Sequence, residues 1–138
     1  MSNEEFRQSC RNASVLMDEI MLRNITKACL VIEREAKNKC PVDQGPLRAA
    51  MFNNVDMGNG KIRGYVGNSM EYAPYVHNGT GIYAKDGNGR RTPWKYKVES
   101  GKYAGWHITK GQKPNQFLEK AKLESISIIK DILREGLR

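Results

Sequence analysis

Pro41 constrains this chain more than any other residue. Upstream of it, Leu22, Ile25, Cys29, Ile32 and Ala36 step by three and four, which places them in one stripe down a helix. That helix is expected from about Val15 to Lys39, with Lys37 and Lys39 in its last turn, where cations suit the helix dipole. The residue before a proline avoids the α region, so the helix must stop at Cys40. The polar first dozen residues read as a frayed extension or a separate helical turn. A chain of 138 residues fits one domain, and nothing in the sequence divides it.

Beyond the proline the periodicity changes. Val42 to Pro46 is a connector, and Leu47 to Met51 reads as a helical turn or a strand entry. Phe52–Met57 and Ile62–Gly67 flank Gly58-Asn59-Gly60-Lys61, the glycine-rich chemistry of a hairpin turn. Asn78-Gly79-Thr80-Gly81 breaks the chain, and residues 81–92 form a mobile loop with Asp86-Gly87-Asn88-Gly89 at its tip. Trp94 to Val98 alternates like a strand with one wet face, and Tyr103 to Thr109 returns beside it. Asn115 is placed to cap a final helix whose apolar face is Phe117, Leu118, Ala121, Ile128, Ile129, Ile132 and Leu133, closed by Gly136. The expectation is an α+β domain: a long N-terminal helix, an antiparallel sheet of about four strands with a long basic hairpin, and a C-terminal helix packed on the sheet.

Several function classes fall away. The longest apolar run, Ala28–Ile32, is far below the roughly 18 residues of a membrane span. The opening Met1-Ser2-Asn3-Glu4-Glu5 is acidic and carries no hydrophobic stretch, so no secretory leader is expected. Cys10, Cys29 and Cys40 are odd in number and lack metal-site spacing, which favours free, mostly buried thiols. There is no nucleophile elbow and no Walker-type loop. His77 and His107 have no visible partner for acid–base work, so neither enzymatic turnover nor a cofactor or metal is expected.

Charge is the stronger signal. Lys and Arg number 23 against 15 Asp and Glu, a formal +8. Nine bases and three acids lie between Ala84 and Ala121, so most of the excess sits there. Such a field attracts nucleic acid or an acidic protein. Aromatic and basic residues interleave from Tyr83 to Trp106, a pattern that suits single-stranded nucleic acid. It equally suits a hairpin with its aromatics packed inward and its lysines solvated, and the second reading is favoured.

Three tracts, in order, carry a resemblance. They are Ala36-Lys37-Asn38-Lys39-Cys40-Pro41-Val42-Asp43-Gln44-Gly45-Pro46-Leu47-Arg48, then Glu71-Tyr72-Ala73-Pro74-Tyr75-Val76-His77-Asn78-Gly79-Thr80, then Thr109-Lys110-Gly111-Gln112-Lys113-Pro114-Asn115-Gln116-Phe117-Leu118. Together, over about Val15 to Leu133, the chain resembles the small tail-completion, neck or head–tail connector proteins of long-tailed bacteriophages and prophages. The family usually has Ala before the proline, Thr at the place of Gln44 and Glu at the place of His77. The resemblance implies a structural virion protein, assembled in the host bacterial cytoplasm and located at the head–tail interface. It implies a homo-oligomeric ring, six-fold where it meets the tail, between the head's connector or head-completion protein and a tail-terminator or tail-tube protein. DNA would pass through the channel without specific binding, and no membrane is involved. Pro41, Asp43, Gly45, Leu47, Gly79 and Phe117 would support the fold, with Asp43 bonding the turn and Gly45 holding a backbone angle other residues resist. Tyr72, Tyr75, His77, Thr80, Lys85, Arg90, Arg91 and Trp94 are the candidates for subunit or partner contact.

Overall fold

The computed structural model describes residues 2–41 and 45–137. It is α+β, in the order α1 (Asn3–Lys39), α2 (Gly45–Ala49), β1 (Met51–Gly58), β2 (Lys61–Asn68), α3 (Ala73–Asn78), a 3-10 turn (Gly81–Tyr83), β3 (Trp94–Val98), β4 (Gly105–Thr109), α4 (Phe117–Glu124) and α5 (Ile126–Arg134).

Helix α1 is 37 residues long and begins well before Val15. The Ser2 hydroxyl accepts from the Glu5 N–H at 3.2 Å, and the Glu5 carboxylate accepts from the Ser2 N–H at 2.7 Å, a reciprocal capping box. The first dozen residues are therefore one continuous helix with the rest. At the other end the Cys40 N–H donates to the Ala36 and Lys37 carbonyls, and Pro41 follows. Asn115 serves this end too: its side-chain amide donates to the Lys39 carbonyl at 3.3 Å. It does not cap α4, whose N-cap residue is Gln116. Leu22 is exposed, and the buried seam of α1 instead runs through Asn24, Ala28, Cys29 and Ala36.

Leu47 on α2 is fully buried. Gly45 is the first residue of that helix, exposed and with open space where a Cβ would stand, so the helix asks no special angle of it. Asp43 lies outside the described residues. Strands β1 and β2 pair antiparallel from Met51↔Asn68 to Gly58↔Lys61. Asn59 and Gly60 both hold positive φ, 53° and 71°, as the tight turn whose twist matches its strands requires.

Four strands are present, but as two separate hairpins. β3 and β4 pair from Trp94↔Thr109 to Val98↔Gly105. One face of this hairpin carries Lys95, Lys97, Trp106 and Ile108 and the other Trp94, Tyr96, Val98 and His107; Trp94 is half-buried while Tyr96 and Trp106 are exposed, so the aromatics are not packed inward as a set. The core gathers Ala36 and Cys40 from α1, Leu47, Met51 from β1, Ala73 and Val76 from α3, and Phe117 and Ala121 from α4, with Val66 of β2 packed against them. Helix α1 thus lies between the first hairpin and the C-terminal helices. The expected final helix breaks at buried Ser125, whose N–H reaches the Ala121 and Lys122 carbonyls. Beyond it α5 buries no side chain fully: Ile128 is exposed, while Ile129, Ile132 and Leu133 are half-buried. Gly136, at φ 76°, follows its end.

The sequence pattern did not reveal Asn24. Its fully buried amide donates to the Glu135 carbonyl at 2.9 Å and the Leu133 carbonyl at 3.4 Å, tying the end of α5 to the middle of α1. Its Oδ1 has no protein partner.

Candidate functional site

The three tracts that carry the resemblance meet at one place. Ala36 and Cys40 from the first, Ala73 and Val76 from the second and Phe117 from the third share the core cluster. Backbone bonds stitch the same tracts together: Asn115 N–H to the Val76 carbonyl at 2.9 Å, and Thr80 N–H to the Gln112 carbonyl at 2.9 Å. Phe117 has no exposed surface, and Leu47 closes the cluster from α2.

His77, a candidate contact residue, is half-buried and faces inward. Its Nε2 lies 3.3 Å from the Glu119 N–H, one of the unpaired donors in the first turn of α4, and accepts from it. Its Nδ1 lies 2.9 Å from the Asn78 Oδ1, so the ring carries its proton there. The ring also meets Phe117 edge-on, with centroids 5.4 Å apart. A glutamate carboxylate at this position can accept the same hydrogen bond. Tyr72 and Tyr75 do not act together: Tyr72 packs against the core, while Tyr75 stands 62% exposed.

Next to this cluster two backbone segments cross at contact distance. Ile82 N–H donates to the Lys110 carbonyl at 3.0 Å, Gln112 N–H to the Thr80 hydroxyl at 2.9 Å, and Lys85 N–H to the Asn78 carbonyl at 2.8 Å. Gly81 holds φ at 61°, and a Cβ there would overlap the Lys110 carbonyl oxygen; one on Gly111 would overlap the Thr80 carbonyl oxygen. Gly79 turns at φ 80° against Gln112 and Pro114. The loop of residues 81–92 is therefore strapped at its root. Further out, Lys85, Arg90 and Arg91 are exposed. The Arg90 guanidinium lies 5.6 Å from the centre of the half-buried Trp94 ring, and its Nε donates to the Thr92 hydroxyl.

An open cleft of about 460 Å³ adjoins the cluster, with Cys29, Ile32, Val66, His77 and Phe117 among its walls. Burial pushes the Cys29 thiol up, and Glu33 adds to this, so the sulfur stays protonated. With both imidazole nitrogens of His77 engaged in hydrogen bonds, what the cleft offers is an apolar wall. Among the described residues no three His, Cys, Asp or Glu side chains are grouped to hold a metal, and no helix is long and apolar enough to cross a membrane.

Two surfaces project from the body, the first missed by sequence reasoning and the second already marked by it. The first is α1 before Ile20, every described residue of which is exposed. The second is the β3–β4 hairpin, where Trp106 is 69% and Ile108 70% exposed. The capping box Ser2-x-x-Glu5 was the available signal for the first. The interleaving of aromatic and basic residues from Tyr83 to Trp106 was the signal for the second. Compared with protein-family models, curated proteins and solved structures, the chain matches none.

Proposed function

We propose that this chain is a structural subunit of the head–tail junction of a tailed bacteriophage or prophage, joining the head's exit complex to the tail through protein–protein contacts and without catalysis. The observation that carries the reading is the convergence of the three resemblance tracts, some 80 positions apart from first to last, on one cluster around Leu47, Val76 and Phe117. Residues shared with the family for fold support should pack together, and these do. A small body bearing two long solvent-exposed projections also suits an assembly part, since projections find their burial in neighbours. The test is to remove the gene from the phage or prophage that carries it and image the lysate. DNA-filled heads and complete tails should accumulate unjoined, and normal virions would discard the reading.

One observation favours a second reading. Trp106 and Ile108 stand exposed across the ribbon from Lys97 and Lys95, which sets an aromatic face beside cations, the arrangement by which bases stack and phosphates pair. Binding to random single-stranded oligonucleotides separates the two. A nucleic-acid surface loses affinity with salt at a log–log slope of about −0.7 per phosphate contact, whereas a junction subunit binds them weakly at every ionic strength.

A further inference from the structure

We propose that the N-terminal arm of one copy seats on the β3–β4 hairpin of a second copy. This rests on the junction reading and supplies its subunit contact.

The arm's face is defined by its own helix. Phe6, Cys10, Ala13 and Met17 repeat at four, three and four residues and continue to Ile20 and Asn24, so they extend the seam that α1 buries against α5. Up to Met17 that seam has nothing against it: Phe6 is 60% and Met17 50% exposed. An apolar stripe continuous with a packed interface and left bare is a surface awaiting a partner.

The hairpin's face is defined by its register. Lys95 is paired with Ile108 and Lys97 with Trp106, so these four side chains share one side of the ribbon. Charge selects the pairing. Residues 2–19 carry Glu4, Glu5, Asp18 and Glu19 against two arginines. Residues 85–113 carry eight bases against Asp86 and Glu99. Glu4 is paired with Arg11 and Glu5 is held in the capping box, so Asp18 and Glu19, at the inner end of the bare stripe, are the acids placed to meet Lys95 and Lys97.

Because the two faces differ, the contact is head-to-tail. Each copy offers one arm and one hairpin, and repetition closes a ring or extends a filament. A single contact is small, so closure supplies much of the avidity.

The experiment uses the full chain and two double variants, Phe6→Ser with Met17→Ser and Trp106→Ser with Ile108→Ser. All four positions are exposed, and circular dichroism checks that both variants fold. Sedimentation velocity is run from micromolar to near-millimolar protein at low and high salt. The unaltered chain should self-associate, more weakly in high salt, and each variant alone should do so at least tenfold more weakly. A one-to-one mixture of the variants should form a heterodimer and nothing larger, because only one intact arm and one intact hairpin remain to meet. Four results overturn the contact: an unaltered chain that stays monomeric throughout; variants that assemble like it; a hairpin variant that still dimerises while the arm variant does not, which is arm-to-arm pairing; or a hairpin variant that loses oligonucleotide binding and nothing else. Assembly through another surface would end this proposal and leave the junction reading standing. Virions that form without the gene would end the junction reading and leave the mixing result intact.

Discussion

Gly81→Ala should release the hairpin from the body while leaving the core folded. Gly81 sits at φ 61°, where an L-residue costs roughly 1–2 kcal/mol. The new methyl overlaps the Lys110 carbonyl oxygen, and both neighbours of that contact are backbone, so neither can swing aside as a side chain would. Forcing the two segments apart costs about 1–3 kcal/mol. It also weakens the Thr80–Gln112 and Ile82–Lys110 bonds, worth about 1 kcal/mol each. The strap faces a penalty of about 3 kcal/mol or more, comparable to what so few bonds can supply, so opening is cheaper than staying closed. The core residues Leu47, Phe117 and Ala121 lie elsewhere, so the global melting temperature should fall by only a few degrees. Hydrogen exchange at the Thr80 and Ile82 amides should speed up by about a hundredfold (close to 2.7 kcal/mol), and protease should cut more readily between Ala84 and Lys113. Unchanged exchange at both amides would refute the claim that glycine is required at this crossing.

Three further outcomes are expected. Phe117→Ala should cost about 3–5 kcal/mol in urea unfolding, since the ring is fully buried where the three tracts meet; a loss below 1 kcal/mol would mean the site collapses freely. His77→Ala should cost about 1–2 kcal/mol through the lost acceptor for Glu119, and His77→Glu should recover part of it; equal losses for both variants would contradict the capping role. The Ser2 hydrogen bonds hold the Glu5 carboxyl below its ordinary range. The stabilisation is therefore present above the unfolded value and lost as the pH falls through the depressed one, so fraying of residues 3–8 should appear below about pH 4. Amide chemical shifts that stay constant down to pH 2 would exclude it.

Much of the architecture was legible because its signals are local. Pro41 ends a helix wherever it occurs, and Asn59-Gly60 demands one turn type. The misreadings have a common cause. Asn115 looks like a helix cap by its neighbours in sequence, yet its partner is the Lys39 carbonyl, 76 positions away. Leu22 fits the apolar stripe, but the partner helix lies along the Asn24 side and leaves it in solvent. Four strand-like segments do not say how they group, because pairing between hairpins is set by contacts far apart in sequence. The full length of α1 was readable from Ser2 and Glu5, and the apolar period alone concealed it because nothing covers that stretch. Of the candidate contact residues, Lys85, Arg90, Arg91 and Tyr75 reach solvent, whereas His77 and Thr80 hold the fold together.

Asn24 is the last fully buried side chain of α1 before its outer end. Some twenty residues of helix stand beyond it, a lever of roughly 30 Å. Gentle curvature is ordinary in long helices, and a tilt of about 10° at the fulcrum would carry the tip roughly 5 Å. The anchoring bonds are two amide contacts to the last carbonyls of α5, so the hinge load falls on a helix end and leaves the core around Phe117 undisturbed. A part built this way can follow a shifted contact at its tip without repacking, because the displacement is taken up by swing of the lever.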